Sequence, residues 1–158
     1  MKPSEWKVIP YDTKYAEQTV RMWRDSKEKA LGQQSARSVE EQTYFLNRIL
    51  PQRFQVELAF ADDRVVGMTA YNAQEISQLY IHMDYQGRGI GETFLRKAQA
   101  ESSGSLTLYT FEVNVIAQRF YEKHGFKVIS RGHENEERLP DIRYEWVRAE
   151  SSPIGGVK

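Results

Sequence analysis

Leu79-Tyr80-Ile81-His82-Met83-Asp84-Tyr85-Gln86-Gly87-Arg88-Gly89-Ile90-Gly91 runs from apolar residues into a cluster of glycines, and its reading decides the fold. Ile76 to Met83 reads as a strand. After the glycines, Ile90, Phe94, Leu95 and Ala98 recur on one helical face. Three glycines within five positions remove the Cβ atoms that would keep a ligand off the backbone. The first turn of the following helix leaves amides unpaired, and with the helix dipole these favour an anion such as a pyrophosphate. Arg88 adds a positive charge and Gln86 a side-chain amide. Gln86, Gly87, Arg88, Gly89, Ile90 and Gly91 are therefore the phosphate-binding residues expected here. The plain alternative is a turn that only reverses a strand into a helix, since a short glycine motif is a weak signal by itself. Two nucleotide patterns are absent. G-x-G-x-x-G fails at Glu92 or at Phe94, according to the glycine it starts from, and no Gly-Lys-Ser or Gly-Lys-Thr triplet exists.

Working towards the N-terminus, Arg64 to Tyr71 and Val56 to Phe60 read as a hairpin turned at Asp62-Asp63. Before it stand two helices. Tyr15, Ala16, Thr19, Val20 and Trp23 repeat at helical spacing, with Asp12 as N-cap and Gly32 as stop. Ser38 and Glu41 have capping-box spacing, and Phe45, Ile49 and Leu50 continue a helix that Pro51 is expected to end. Val8 and Ile9 suggest a short first strand. Towards the C-terminus, Leu106, Leu108 and Phe111 form a strand. A short helix follows from Val115 to His124, with Ile116, Ala117, Phe120 and Tyr121 on its inner side and Gly125 as stop. Two strands, Phe126–Ser130 and Ile142–Val147, flank a polar segment. The order β-α-α-β-β-β-α-β-α-β-β predicts a mixed α/β layer protein with one sheet and helices on its faces. Residues 1–148 read as one domain and 149–158 as a loose tail.

The totals narrow the function. The 158 residues carry 22 Lys plus Arg against 22 Asp plus Glu. A net charge of zero lacks the basic footprint of a nucleic-acid binder and gives no electrostatic pull to an anionic membrane. There is no cysteine, which excludes disulfides, thiolate metal sites and a cysteine nucleophile. Neither a signal-like start nor a membrane-length apolar run is present, so the expected location is the cytoplasm. His82, His124 and His133 show no paired metal-ligand spacing, and no metal is expected.

The glycine stretch matches Q/R-x-x-G-x-G/A through Gln86, Gly89 and Gly91. A second stretch, Asn114-Val115-Ile116-Ala117-Gln118-Arg119-Phe120-Tyr121-Glu122-Lys123-His124-Gly125-Phe126, reads N-x-x-A-x-x-F-Y-x-x-x-G-F. Together, in this order and at this distance, the two resemble the signatures of the GNAT superfamily of acyl-CoA-dependent N-acyltransferases. The resemblance covers nearly all of the chain up to Val147. It implies a mostly antiparallel sheet in which two strands splay apart to hold CoA. The pantetheine arm would pair with the backbone of Leu79, Tyr80 and Ile81, and the pyrophosphate would rest on the amides from Arg88 to Gly91. Met83 stands where many members have proline; the contact is by backbone, so little depends on it. Acetyl-CoA is the implied co-substrate and an amine on a small molecule or peptide the acceptor. A homodimer is among the states common in relatives.

Aminolysis of a thioester needs a neutral amine, a donor for the oxyanion and a proton for the thiolate. The resemblance assigns the proton to Tyr121, whose phenol at about 10 can protonate a thiolate whose acid titrates at about 8.5. The plain alternative is that Tyr121 packs beside Phe120. Asn114 suits an N-cap, a pantetheine contact, or both, because its side chain has an acceptor and two donors. The Ile81 N–H is a reasonable oxyanion donor. Glu75 lies eleven positions before Gln86, where some members carry a general base; a strand-end glutamate exposed to solvent is the commoner explanation. The acidic run Glu134-Asn135-Glu136-Glu137 would attract a cationic amine or simply form a solvated hairpin. Trp23, Tyr44 and Tyr71 suit an acceptor pocket, with core packing the commoner role. Enzyme, non-catalytic acyl-CoA sensor and nucleotide-phosphate enzyme are the three readings to separate.

Overall fold

The computed structural model describes residues 5–149, so the tail beyond Ala149 lies outside the described residues. The strands are β1 (Trp6–Pro10), β2 (Gln55–Ala61), β3 (Arg64–Tyr71), β4 (Ile76–Ile81), β5 (Ser105–Phe111), β6 (Lys127–Gly132) and β7 (Asp141–Val147). The helices are α1 (Ala16–Leu31), α2 (Val39–Tyr44), α3 (Leu50–Arg53), α4 (Ile90–Glu101) and α5 (Val115–Lys123).

The strands do not form one ladder. β1, β2, β3 and β4 pair antiparallel in chain order, while β5, β7 and β6 form a second antiparallel sheet. The β2–β3 hairpin turns at Asp62 and Asp63, whose φ values of 52° and 59° are both left-handed. That is the primed geometry whose twist matches the flanking strands. Alternation along β2 and β3 sends side chains to opposite faces. Leu58, Val65 and Met68 join Val20, Met22, Trp23, Leu46 and Leu50 from the first helices. Ala59, Ala61 and Val66 meet Ile90 and Phe94 of α4 on the other face. A third cluster, with Tyr71, Leu95, Leu106, Leu108, Tyr121, Phe126 and Tyr144, joins the two sheets.

Several local expectations hold. Asp12 accepts from the Lys14 N–H at 2.9 Å and caps a short 3₁₀ turn ahead of α1. Gly32 ends α1 at φ 69°. Both bonds of the Ser38–Glu41 capping box are made, at 2.8 and 3.1 Å. Others need correction. Pro51 does not end the second helix. The Leu50 N–H reaches back five residues to the Phe45 carbonyl, and this π turn over Phe45–Ile49 restarts the helix at Leu50. Pro51 then stands in a first turn, where its missing N–H costs nothing. Tyr44, 61% exposed, lies outside the core, and Ile116 is exposed as well, because α5 turns Ala117, Phe120 and Tyr121 inwards instead. β4 stops at Ile81, as the His82 N–H turns to the Val66 carbonyl at 2.8 Å. α4 begins at Ile90, after the glycines.

Candidate active site

The two sheets meet at a point. Glu75 and Thr107 form a single parallel bridge, the Thr107 N–H donates to the Gln74 carbonyl at 3.0 Å, and Ser103 N–H to Ala73 at 2.8 Å. Beyond that point β4 pairs with β3 and β5 with β7, and the strands part. The V between them is lined by Ile76–Tyr80 from one arm and Leu108–Phe111 from the other, with Asn114, Ala117 and Tyr121 of the α5 region. An unpaired strand edge presents N–H and C=O groups to whatever enters. Leu79 and Tyr80 are on that wall, and Ile81 ends it.

The glycine run follows the β4 arm. Gly87 and Gly89 have φ of 79° and 87°, and a Cβ added at either would meet no atom within 4 Å. Their requirement is thus conformational, and the space beside them is open. Gly91 differs: a Cβ there would stand 3.3 Å from Phe120, so its absence brings α4 against α5. The first bond of α4 is Thr93 N–H to the Gly89 carbonyl at 3.0 Å. The amides of Ile90, Gly91 and Glu92 precede it, as at any helix start. Gln86 is held by its Nε2 donating to the Ile81 carbonyl at 3.1 Å. Arg88 stacks 4.7 Å over Tyr85 and donates to the Asp84 carbonyl, which fixes its charge beside the open turn. Tyr85 in turn donates to Asp62 at 2.5 Å. A polar anchor of this kind under the turn has no sequence signal, because its two residues stand 23 positions apart. These features fit a pyrophosphate.

Asn114 caps α5, accepting from the Ala117 N–H at 3.1 Å while lining the V. Tyr121 is 7% exposed and packs edge-on to Phe120 and Phe126, with centroids 5.3 and 5.5 Å away. Burial pushes its phenol above the usual tyrosine range. Tyr80 is pushed the same way by burial, then by Tyr121, then by Glu137. Tyr80 lies on β4, Tyr121 on α5 and Glu137 in the loop between β6 and β7. Glu75 is elsewhere. It lies at the closed end of the V, with its carboxylate 3.9 Å from Arg53, and does not line the opening. Among the described residues, no three His, Asp or Glu side chains gather to hold a metal ion, and no helix is long and apolar enough to cross a membrane.

Comparison with known proteins agrees with this geometry. The model of the acetyltransferase (GNAT) domain matches residues 13–147. The peptidyl-lysine N-acetyltransferase YjaB of Salmonella typhimurium is 36% identical over 69 residues, 44% of this chain and 47% of the relative. The spermidine N(1)-acetyltransferase of Thermoplasma acidophilum is 32% identical over 95 residues, 52% of this chain and 59% of the relative. The chain thus spans about half the length of the curated relatives it matches. Among solved structures, apo YjaB from Escherichia coli superposes with a TM-score of 0.73 at 25% identity, over 92% of this chain and 99% of that one. The PaiA N-acetyltransferase of Thermoplasma acidophilum, solved with coenzyme A, gives 0.72 at 21% identity, over 90% and 99%, and shows the same fold. With a family model spanning both arms of the V, the glycine turn and α5, the chain belongs to the GNAT acetyltransferase family.

Proposed function

We propose that the protein transfers an acetyl group from acetyl-CoA directly to a primary amine in a ternary complex, with Tyr121 supplying the thiolate's proton. The observation that carries this reading is the V between β4 and β5, which has Tyr121 on its wall, with the open glycine turn following the β4 arm. In this proposal the backbone of Leu79, Tyr80 and Ile81 pairs with pantetheine and Asn114 bonds its amides. The amides from Arg88 to Gly91 hold the pyrophosphate, with Gln86 and Gly87 shaping the turn. The absence of cysteine supports direct transfer over an enzyme thioester. Glu75 stands off the lining, so any proton it takes from the amine travels through water. The curated relatives are named for peptidyl-lysine and spermidine, and a primary amine is common to both. Action in the cytoplasm is part of this proposal; among the described residues no helix is long and apolar enough to cross a membrane.

Two measurements on the full chain test it. A ligand that binds only the folded state at a hundredfold its Kd adds about 2.7 kcal/mol of stability. Acetyl-CoA is expected to raise the melting temperature, and ATP and NAD to leave it unchanged. CoA release should then exceed background hydrolysis with at least one primary amine. Binding of acetyl-CoA without release for any amine would identify a sensing module instead.

A further inference from the structure

A second hollow adjoins the V. Trp23, Lys27, Arg37, Phe45, Gln78 and Glu137 are among its walls, and Gln78 borders both spaces. Gln78 and Tyr80 are two apart on β4 and so share a face. Tyr80 lines the V together with Tyr121, so β4 links the hollow to that wall.

The charges in this hollow are layered. At the rim, Arg37 and Glu136 pair at 3.0 Å with both side chains well exposed. Inside, the Glu137 side chain is 7% exposed and the Lys27 side chain 21%, with Nζ 2.8 Å from Oε2. A carboxylate so far from water needs a cation beside it. The cation it has is a primary ammonium on an unbranched butyl chain. Trp23 and Phe45, with centroids 6.3 Å apart, give the hollow an apolar wall. Trp23 is 4% exposed, and among the described residues its indole Nε1–H has no hydrogen-bond partner.

We infer that Glu137 is the anchor of the acceptor, a primary ammonium on an unbranched alkyl chain, and that Lys27 holds that place until the acceptor displaces it. The inference rests on the acetyl-transfer reading for its placement beside the V. Lys27 lies near the end of α1 on a flexible stem, so displacement needs only rotamer changes that carry it to solvent. A free di- or polyamine keeps one ammonium on Glu137 while its other, neutral amine attacks; a lysine side chain in a peptide has to give up its proton to water and leave Glu137 as the neutral amine before it attacks.

A competing account makes Lys27–Glu137 a fastener. The Gln33 Nε2 also donates to the Glu137 carbonyl at 3.2 Å, and both contacts tie the β6–β7 loop to the end of α1. Equilibrium binding by calorimetry separates the two accounts without needing turnover. The probes are 1,5-diaminopentane and Nα-acetyl-lysine methylamide, added to the full chain saturated with CoA. Glu137→Gln is expected to weaken the tighter-binding probe about tenfold or more. Lys27→Met should tighten it several-fold, Glu137→Asp should recover part of the loss, and acetyl-CoA affinity should stay the same in all three. The tighter probe reports the source of the ammonium. Unchanged probe affinity in Glu137→Gln, absence of probe binding to the parent, or weakening by Lys27→Met would each overturn the anchor. Should Glu137→Gln not fold, the direction of the Lys27→Met change decides alone. Probe binding with no CoA release would retain the anchor and reject the enzyme.

Discussion

Tyr121 shows how much one side chain owes to its surroundings. Burial between Phe120, Phe126 and Tyr144 holds its phenol above the ordinary value near 10, so it is protonated at neutral pH. Such a group is a donor ready at neutral pH and cannot serve as a base there. Tyr121→Phe removes one O–H and keeps the packing. The expected outcome is a kcat lower by about a hundredfold with acetyl-CoA affinity unchanged, measured by steady-state CoA release and by calorimetry; an unaltered kcat would remove Tyr121 from the chemistry. At this scale the sequence was informative where a residue belonged to a motif. Gln86, Gly89, Asn114 and Tyr121 all stand at or beside the V or its turn. Glu75 and Glu137 had only their spacing and their charge. The first went to the closed end with Arg53, and the second turned inwards to Lys27, because their partners lie 22 and 110 positions away respectively.

The element that matters most is the start of α4. Gly89 is its N-cap in a left-handed conformation, with open space where a Cβ would be. Gly89→Ala meets no steric neighbour in the chain itself and costs about 1 kcal/mol of backbone strain. That corresponds to a melting temperature about 2–4 °C lower for a domain of this size. The functional effect should be larger, since the added methyl stands where the phosphate is expected. Acetyl-CoA affinity should fall by more than the strain alone explains, and differential scanning calorimetry with titration calorimetry checks both. Equal affinity in variant and parent would move the phosphate site elsewhere. Local chemistry made most elements legible: the Ser38–Glu41 box, the Asp62-Asp63 turn and Gly125 at φ 90° all act over a few residues. Pro51 misled for a reason of the same scale. A proline forbids one hydrogen bond, and a π turn just before it removes the need for that bond.

Across the whole molecule, the tyrosines tie stability to alkaline pH. Burial raises Tyr71, Tyr80 and Tyr121, and raises Tyr11 and Tyr144 up to about 12 each. In the unfolded chain all five titrate near 10. Above that pH the unfolded chain gives up protons that the folded chain keeps, so stability falls as pH rises. Below about pH 9 both states hold these protons and the tyrosines add no slope. The melting temperature is expected to drop steeply from about pH 10 upwards, followed by circular dichroism across pH 7–12. A melting temperature constant to pH 12 would contradict the burial described for these side chains.

What the sequence determined by itself is everything that acts through short separations. It set the order of strands and helices, the caps and turns, the two faces of β2 and β3, and the glycine turn ahead of α4. It also identified the family, because two motifs and their spacing are linear features. The tertiary structure alone decided that the strands of the described residues make two sheets, joined at Glu75–Thr107 and open beyond it. It alone chose that Glu137, of the acidic run 134–137, pairs with Lys27. Those outcomes depend on competition among distant partners: β4 is held by β3, β5 by β7, and Glu137 by a lysine on α1. Spacing along a chain fixes local geometry, but the opening between the sheets exists only where long-range pairings pull two neighbouring strands apart.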